Sequence, residues 1–180
     1  MLAPVLETPR LLLRHPSAED FDAFAAFCAD PEAMQFLGGA IPRPVAWRAW
    51  AMLAGAWQIR GYSMFSVIEK ASGRWIGRIG PWMPEGWPGT EVGWGIVRGV
   101  QRTGYGKEAA TAAIDYAFSQ LGFETVIHCI DPGNAPSIAL ASSLGSRLLR
   151  TGVAAPPPLA ATWDLYGQSR AEWEARGRTR

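Results

Sequence analysis

One short segment limits what this chain can fold into more than any other: Gln101-Arg102-Thr103-Gly104-Tyr105-Gly106-Lys107-Glu108-Ala109. Before it, Thr90-Glu91-Val92-Gly93-Trp94-Gly95-Ile96-Val97 reads as a strand whose glycines allow close backbone approach. After it, Gly104 to Leu121 puts Ala110, Ala113, Ile114, Ala117 and Leu121 on one helical face, and Thr125 to Ile130 is a further apolar strand. The segment is therefore the turn of a strand, helix, strand unit. Its glycines free successive backbone N–H groups, and the positive end of the helix dipole lies behind them. A phosphate or pyrophosphate is expected there.

Upstream, Arg10-Leu11-Leu12-Leu13-Arg14 suits a first strand, and Ser17 can cap a helix through Ala26 that Asp30-Pro31 closes. Pro44 to Arg60 reads as a second helix with Trp47, Trp50, Ala51, Ala54 and Trp57 on its buried face, stopped by Gly61. Tyr62 to Lys70 and Arg74 to Ile79 form a hairpin about Ala71-Ser72-Gly73, and a Gly/Pro/Trp-rich loop runs from Gly80 to Gly89. Downstream, Asn134 caps a helix that Gly145 ends. Two shorter strands follow near Leu148 and over Ala161 to Tyr166, and Ser169-Arg170-Ala171-Glu172 is a capping box for a terminal helix carrying Trp173.

At 180 residues, with 48% hydrophobic side chains, the chain has material for one packed domain, residues 1–180, and is far from the disordered regime. A net charge of +1 supplies no field to steer nucleic acid or an anionic membrane toward it. Cys28 and Cys129 form no C-x-x-C pair and stand beside no histidine cluster, so neither a disulfide framework nor a metal site is expected. The N-terminal acid and arginines interrupt any signal-like apolar run, which fits a cytoplasmic protein without a membrane segment.

Three ligands compete for the glycine turn. Gly104-x-Gly106-x-x-Ala109 satisfies the dinucleotide fingerprint, which would make the protein an NAD(P)-dependent oxidoreductase. Against that, Glu124 precedes the next strand instead of ending it, and a second run of βαβ units is missing. A nucleoside-triphosphate loop would need Gly at Gln101 and a hydroxyl at Glu108. Finally, Gln101-x-x-Gly104-x-Gly106 resembles the Q/R-x-x-G-x-G/A motif of the GNAT superfamily of N-acetyltransferases. The likeness continues in order through Thr8-Pro9-Arg10-Leu11 with Arg14 and Asp20, Asp30-Pro31-Glu32, Glu91-Val92-Gly93-Trp94, Glu108-Ala109, Asp131-Pro132-x-Asn134-x-x-Ser137 and Leu144-Gly145. Within the superfamily it is similar to the subgroup holding bacterial ribosomal-protein N-terminal (alanine/serine) acetyltransferases.

The resemblance implies an α/β (α+β) fold: a mixed, mostly antiparallel central sheet of about seven strands, splayed after the fourth and flanked by helices. It implies acetyl-CoA as cosubstrate, with no metal, and transfer to a primary amine by direct attack in a ternary complex. The acceptor would be a protein N-terminal α-amine or a small molecule. By motif position, Ile96 and Val97 would bond the pantetheine arm, Gln101, Arg102, Thr103, Gly104, Tyr105, Gly106 and Lys107 would surround the pyrophosphate, and Asn134 with Ser137 would flank the pantetheine and thioester. Arg98-Gly99 replaces the family's proline-containing turn, and Arg102 stands where the subgroup often has glycine.

For the chemistry, Ser137 is the first choice as acid toward the departing sulfur, its alternative role being to stabilise the helix start. Ala141 occupies the place where many relatives carry a tyrosine donor. Glu91 is the best carboxylate base, the alternative being an ordinary strand charge. His128 has a suitable solution pKa, yet Cys129 is the position that would face the site, so His128 reads as a packed strand histidine. Trp82 and Trp87, in the loop before Glu91, would line the acceptor pocket. An uncertain base and the missing tyrosine keep open a catalytically silent acyl-CoA-binding module. Exposed tryptophan would favour a homodimer.

Overall fold

The opening apolar run becomes one edge of a sheet. In the computed structural model, which describes residues 4–157 and 159–177, Leu6–Glu7 (β1) and Leu11–Arg14 (β2) pair antiparallel. Ser17 and Asp20 then close a capping box on a 3-10 turn that leads into Phe21–Ala29 (α1). Arg43–Arg60 (α2) ends at Gly61, whose φ of 76° is the left-handed stop expected there.

Three further antiparallel strands follow β2: Phe65–Glu69 (β3), Trp75–Trp82 (β4) and Glu91–Ile96 (β5) join it in order. Tyr105–Ser119 (α3) crosses over to Thr125–Ile130 (β6), which lies parallel to β5. Ala135–Ser143 (α4), Arg147–Ala154 (β7), Thr162–Ser169 (β8) and Arg170–Gly177 (α5) complete the described chain. The sheet runs β1-β2-β3-β4-β5-β6-β8-β7.

It has eight strands where about seven are expected, because the two-residue β1 adds an edge, and the opening therefore follows the fifth strand. The class is as the resemblance implies. Helix α3 covers one face, with Ala109, Ala110, Ala113, Ile114 and Ala117 against Leu11, Leu13, Phe65, Val67, Ile76 and Val92. Helices α1 and α2 cover the other, where Phe24, Phe27, Trp50 and Leu53 meet Met64 and Trp75.

Two expectations need correction. Trp47 is 58% exposed and Ala51 is exposed as well, because the buried stripe of α2 is Ala46, Trp50, Leu53 and Trp57, spaced four, three and four, which turns positions 47 and 51 outward. Strand β4 also runs past Ile79 through Gly80-Pro81 to Trp82. Pro81 is tolerated because it pairs with Val92 at a position whose N–H points away from β5, beyond the first β3 pairing at Phe65.

Candidate active site

Strands β5 and β6 touch at one point and then part. The single parallel register is Glu91 opposite Ile127, with the Ile127 N–H on the Thr90 carbonyl at 2.9 Å. Which main-chain groups face the resulting gap follows from alternation. Val97 N–H donates to Ile76 at 2.9 Å, so the odd-numbered residues of β5 bond to β4, and Val92, Trp94 and Ile96 aim their N–H and C=O groups at the gap. Ile96 thus presents its main-chain groups to the gap, although Gln101 Nε2 donates to its carbonyl at 3.1 Å. Val97 does not: its N–H donates to the Ile76 carbonyl, and its carbonyl accepts from Val100 at 3.3 Å.

The first groups orphaned by the separation are met by side chains from the opposite strand. On the α3 side, His128 Nδ1 lies 2.7 Å from the Val92 carbonyl and Nε2 lies 2.9 Å from Ser146 Oγ. A carbonyl can only accept, so Nδ1 carries the proton and Nε2 accepts from Ser146, whose oxygen in turn accepts from Gln168 Nε2 at 2.9 Å. Burial pushes this imidazole down to about 4, only partly offset by the Val92 carbonyl. His128 is 1% exposed and is the packed strand histidine expected.

On the α1 side, Glu91 Oε1 accepts from the Cys129 N–H at 3.2 Å and Oε2 accepts from Trp87 Nε1 at 2.6 Å. Burial pushes the Glu91 carboxyl up to about 7, against the pull of those donors and of the Arg78 guanidinium. A buried carboxylate poised near neutrality has the proton affinity a general base needs. Trp87, in the loop before β5, packs at 4.9 Å from Trp163 and 6.5 Å from Trp82 at the end of β4. That Trp87 holds the carboxylate was not legible, since a tryptophan four residues before an acid carries no motif.

Gly93 and Gly95 point the same way as Glu91, not into the gap. A Cβ on Gly93 would lie 2.8 Å from Met64 Cε, and one on Gly95 would lie 3.1 Å from Phe27 Cζ. The close approach they allow is therefore by the protein's own side chains.

The phosphate turn follows β5. Gly104 is the N-cap of α3 with φ 89°, and the helix's own first bond is Glu108 N–H to Gly104 at 3.0 Å, so the amides of Tyr105, Gly106 and Lys107 point out of the helix tip. Gln101, Arg102, Thr103, Gly104 and Lys107 are exposed around them. Arg102 has φ 63°, the only positive φ at a non-glycine among the described residues, which explains why glycine suits this place. Across the gap, Asn134 Oδ1 caps α4 by accepting from Ser137 N–H at 3.2 Å. Ser137 Oγ accepts from Trp94 Nε1 at 3.2 Å, and since an indole only donates, the hydroxyl keeps its own proton to give. Trp94, 4.6 Å from the His128 ring, links the two walls and was not singled out by sequence. Among the described residues no group of three His, Cys, Asp or Glu side chains could hold a metal ion.

A mostly antiparallel sheet opened at its one parallel pair, beside a helix tip with three outward amides, offers a slot for an extended ligand that ends in an anion. Residues 10–147 match the Acetyltransferase (GNAT) domain model, and the chain belongs to that family, whose members use acetyl-CoA. It is 31% identical over 156 residues to YkkB of Bacillus subtilis, covering 81% of this chain and 87% of that one. It is 30% identical over 142 residues to the N-acetyltransferase p20 of Bacillus licheniformis, covering 77% and 80%. The acetyltransferase structure from Agrobacterium tumefaciens superposes with a TM-score of 0.81 at 29% identity, covering 93% of this chain and 95% of that one. The ribosomal-protein-S5-alanine acetyltransferase of Vibrio fischeri shares the fold, with a TM-score of 0.73 at 15% identity over 94% and 98%.

Proposed function

We propose that this protein is an acetyl-CoA-dependent N-acetyltransferase that acetylates a primary amine, on a protein N-terminus or a small molecule, within a ternary complex. The observation that carries this reading is the Glu91 carboxylate, held between Cys129 N–H and Trp87 Nε1 where β5 and β6 separate. An amine must lose a proton to attack, and Glu91, pushed up to about 7, is able to hold that proton near neutral pH. Acetyl-CoA would supply the activated acetyl group. The main-chain groups of Trp94 and Ile96 would line its pantetheine arm, residues Gln101 to Lys107 its pyrophosphate, and Asn134 the other wall. Ser137 Oγ–H is the proton donor on the sulfur side, with Trp94 fixing its oxygen.

Release of CoA thiol from acetyl-CoA over a panel of primary amines tests the proposal. Release that depends on the amine supports it. Tight CoA binding with no turnover on any acceptor would make the protein a binding module.

A further inference from the structure

Glu108 stands in the first turn of α3, three residues past Tyr105, where an unpaired carboxylate would repel any phosphate held by the helix tip. Its charge is instead drawn to the side by a segment a hundred residues earlier. Oε1 accepts from Thr8 Oγ1 at 2.6 Å and from the Arg10 N–H at 2.9 Å, and Oε2 accepts from Arg10 Nε at 2.6 Å. Burial works against the Glu108 charge, but these donors outweigh it and hold the carboxyl below its ordinary range.

The same guanidinium reaches the turn itself. Arg10 Nη1 donates to the Thr103 carbonyl at 3.0 Å, the group lies 4.3 Å over the Tyr105 ring, and Nη2 is 3.2 Å from where a Cβ on Gly104 would sit. Thr103 lies between the two left-handed residues, Arg102 and Gly104. A left-handed arginine is strained and persists only where its surroundings over-determine it. Anchoring the Thr103 carbonyl, together with Thr103 Oγ1 on Val100 at 2.6 Å, does that. Thr8-x-Arg10 and Glu108 are thus two halves of one device.

We propose that Arg10, locked to Glu108, is a positioning residue for diphosphate binding: it holds the carbonyl of Thr103 back from the cradle and screens the Glu108 charge. The inference rests on the acetyl-CoA reading above. Its test is calorimetric CoA binding and donor kinetics for Arg10→Met, Arg10→Lys and Arg10→Met/Glu108→Gln, with thermal melts to identify any variant that fails to fold. Arg10→Met should weaken CoA binding about tenfold and raise KM for acetyl-CoA alike. Turnover with S-acetylpantetheine, which lacks the diphosphate, should stay as in the wild type. Arg10→Lys, which keeps charge without the fork, should fall between, and removing the Glu108 charge should restore part of the affinity. Equal losses with both donors, or wild-type CoA affinity in folded Arg10→Met, would overturn the clamp. Failure of the wild-type protein to bind CoA would instead remove the reading on which it rests.

Discussion

Two side chains stop the gap between β5 and β6, one on each face of the sheet, and they meet opposite fates. His128 is enclosed between the Val92 carbonyl and a Ser146–Gln168 chain that fixes its tautomer, so it stays neutral down to about 4. Glu91 has comparable burial but is held by two N–H donors, one of them Trp87 in the loop before β5, and burial pushes it up to about 7. Burial alone makes neither residue catalytic. What separates them is their partners: the imidazole is locked into one tautomer by a carbonyl and a hydroxyl, while the carboxyl is met by N–H donors that suit its charged form.

Replacing Glu91 by Gln should break the comparison most. The expected loss in kcat is about 10²–10⁴-fold, with the rise in rate through about pH 7 abolished and CoA affinity unchanged. A pH profile that keeps its limb in the variant would assign the base elsewhere.

Stability should show the two residues with opposite sign. Glu91 has its pKa raised on folding from 4.5 to about 7, so its contribution falls as pH rises through that window. His128 has its pKa lowered from 6.5 to about 4, so its contribution is lost as pH falls through that one. Each change is about 3 kcal/mol, and in the overlap they oppose each other. Denaturant titrations should therefore show Glu91→Gln gaining on the wild type as pH rises from 4.5 to 7, and His128→Gln gaining as pH falls from 6.5 to 4. Parallel curves at every pH would contradict both assignments.

A smaller effect belongs to Ser137→Ala, about tenfold in kcat with CoA affinity little altered, since the Asn134 cap uses only the Ser137 main-chain N–H. An unchanged rate would leave Ser137 as a helix-start residue. The smallest is Trp87→Phe. It keeps the ring packing on Trp163 and deletes one donor to Glu91, so the kinetic pKa should move upward by less than about one unit. No shift would show that the 2.6 Å bond does not bear on the base.

The turn and the helix ends were legible because backbone geometry must be written into sequence. An Asn134 cap and the Gly61 and Gly145 stops each require a particular residue type, and the structure has each where it was expected, while Gly104 adds a left-handed φ at the turn. Glu91, Ser137 and the packed His128 could be placed by motif order and strand parity. Other features depend on tertiary distance, which one sequence does not encode. Trp87 reaches Glu91 from a loop, Trp94 bridges to α4, Arg10 reaches across to Thr103, and Val97 is withdrawn by Ile76. The exposed Trp47 shows the same limit within one helix, where Ala46 and Leu53 took the buried stripe from it.

The bonds that tie Arg10 and Thr8 to Glu108 span 98 and 100 positions of sequence. During synthesis, the first strand must wait until α3 has emerged before either can adopt its final form, so the cradle is a late product of folding. A nascent or truncated chain that ends before residue 108 would carry every glycine of the turn and still lack its shape, which makes coenzyme capture a report that the two distant segments have docked.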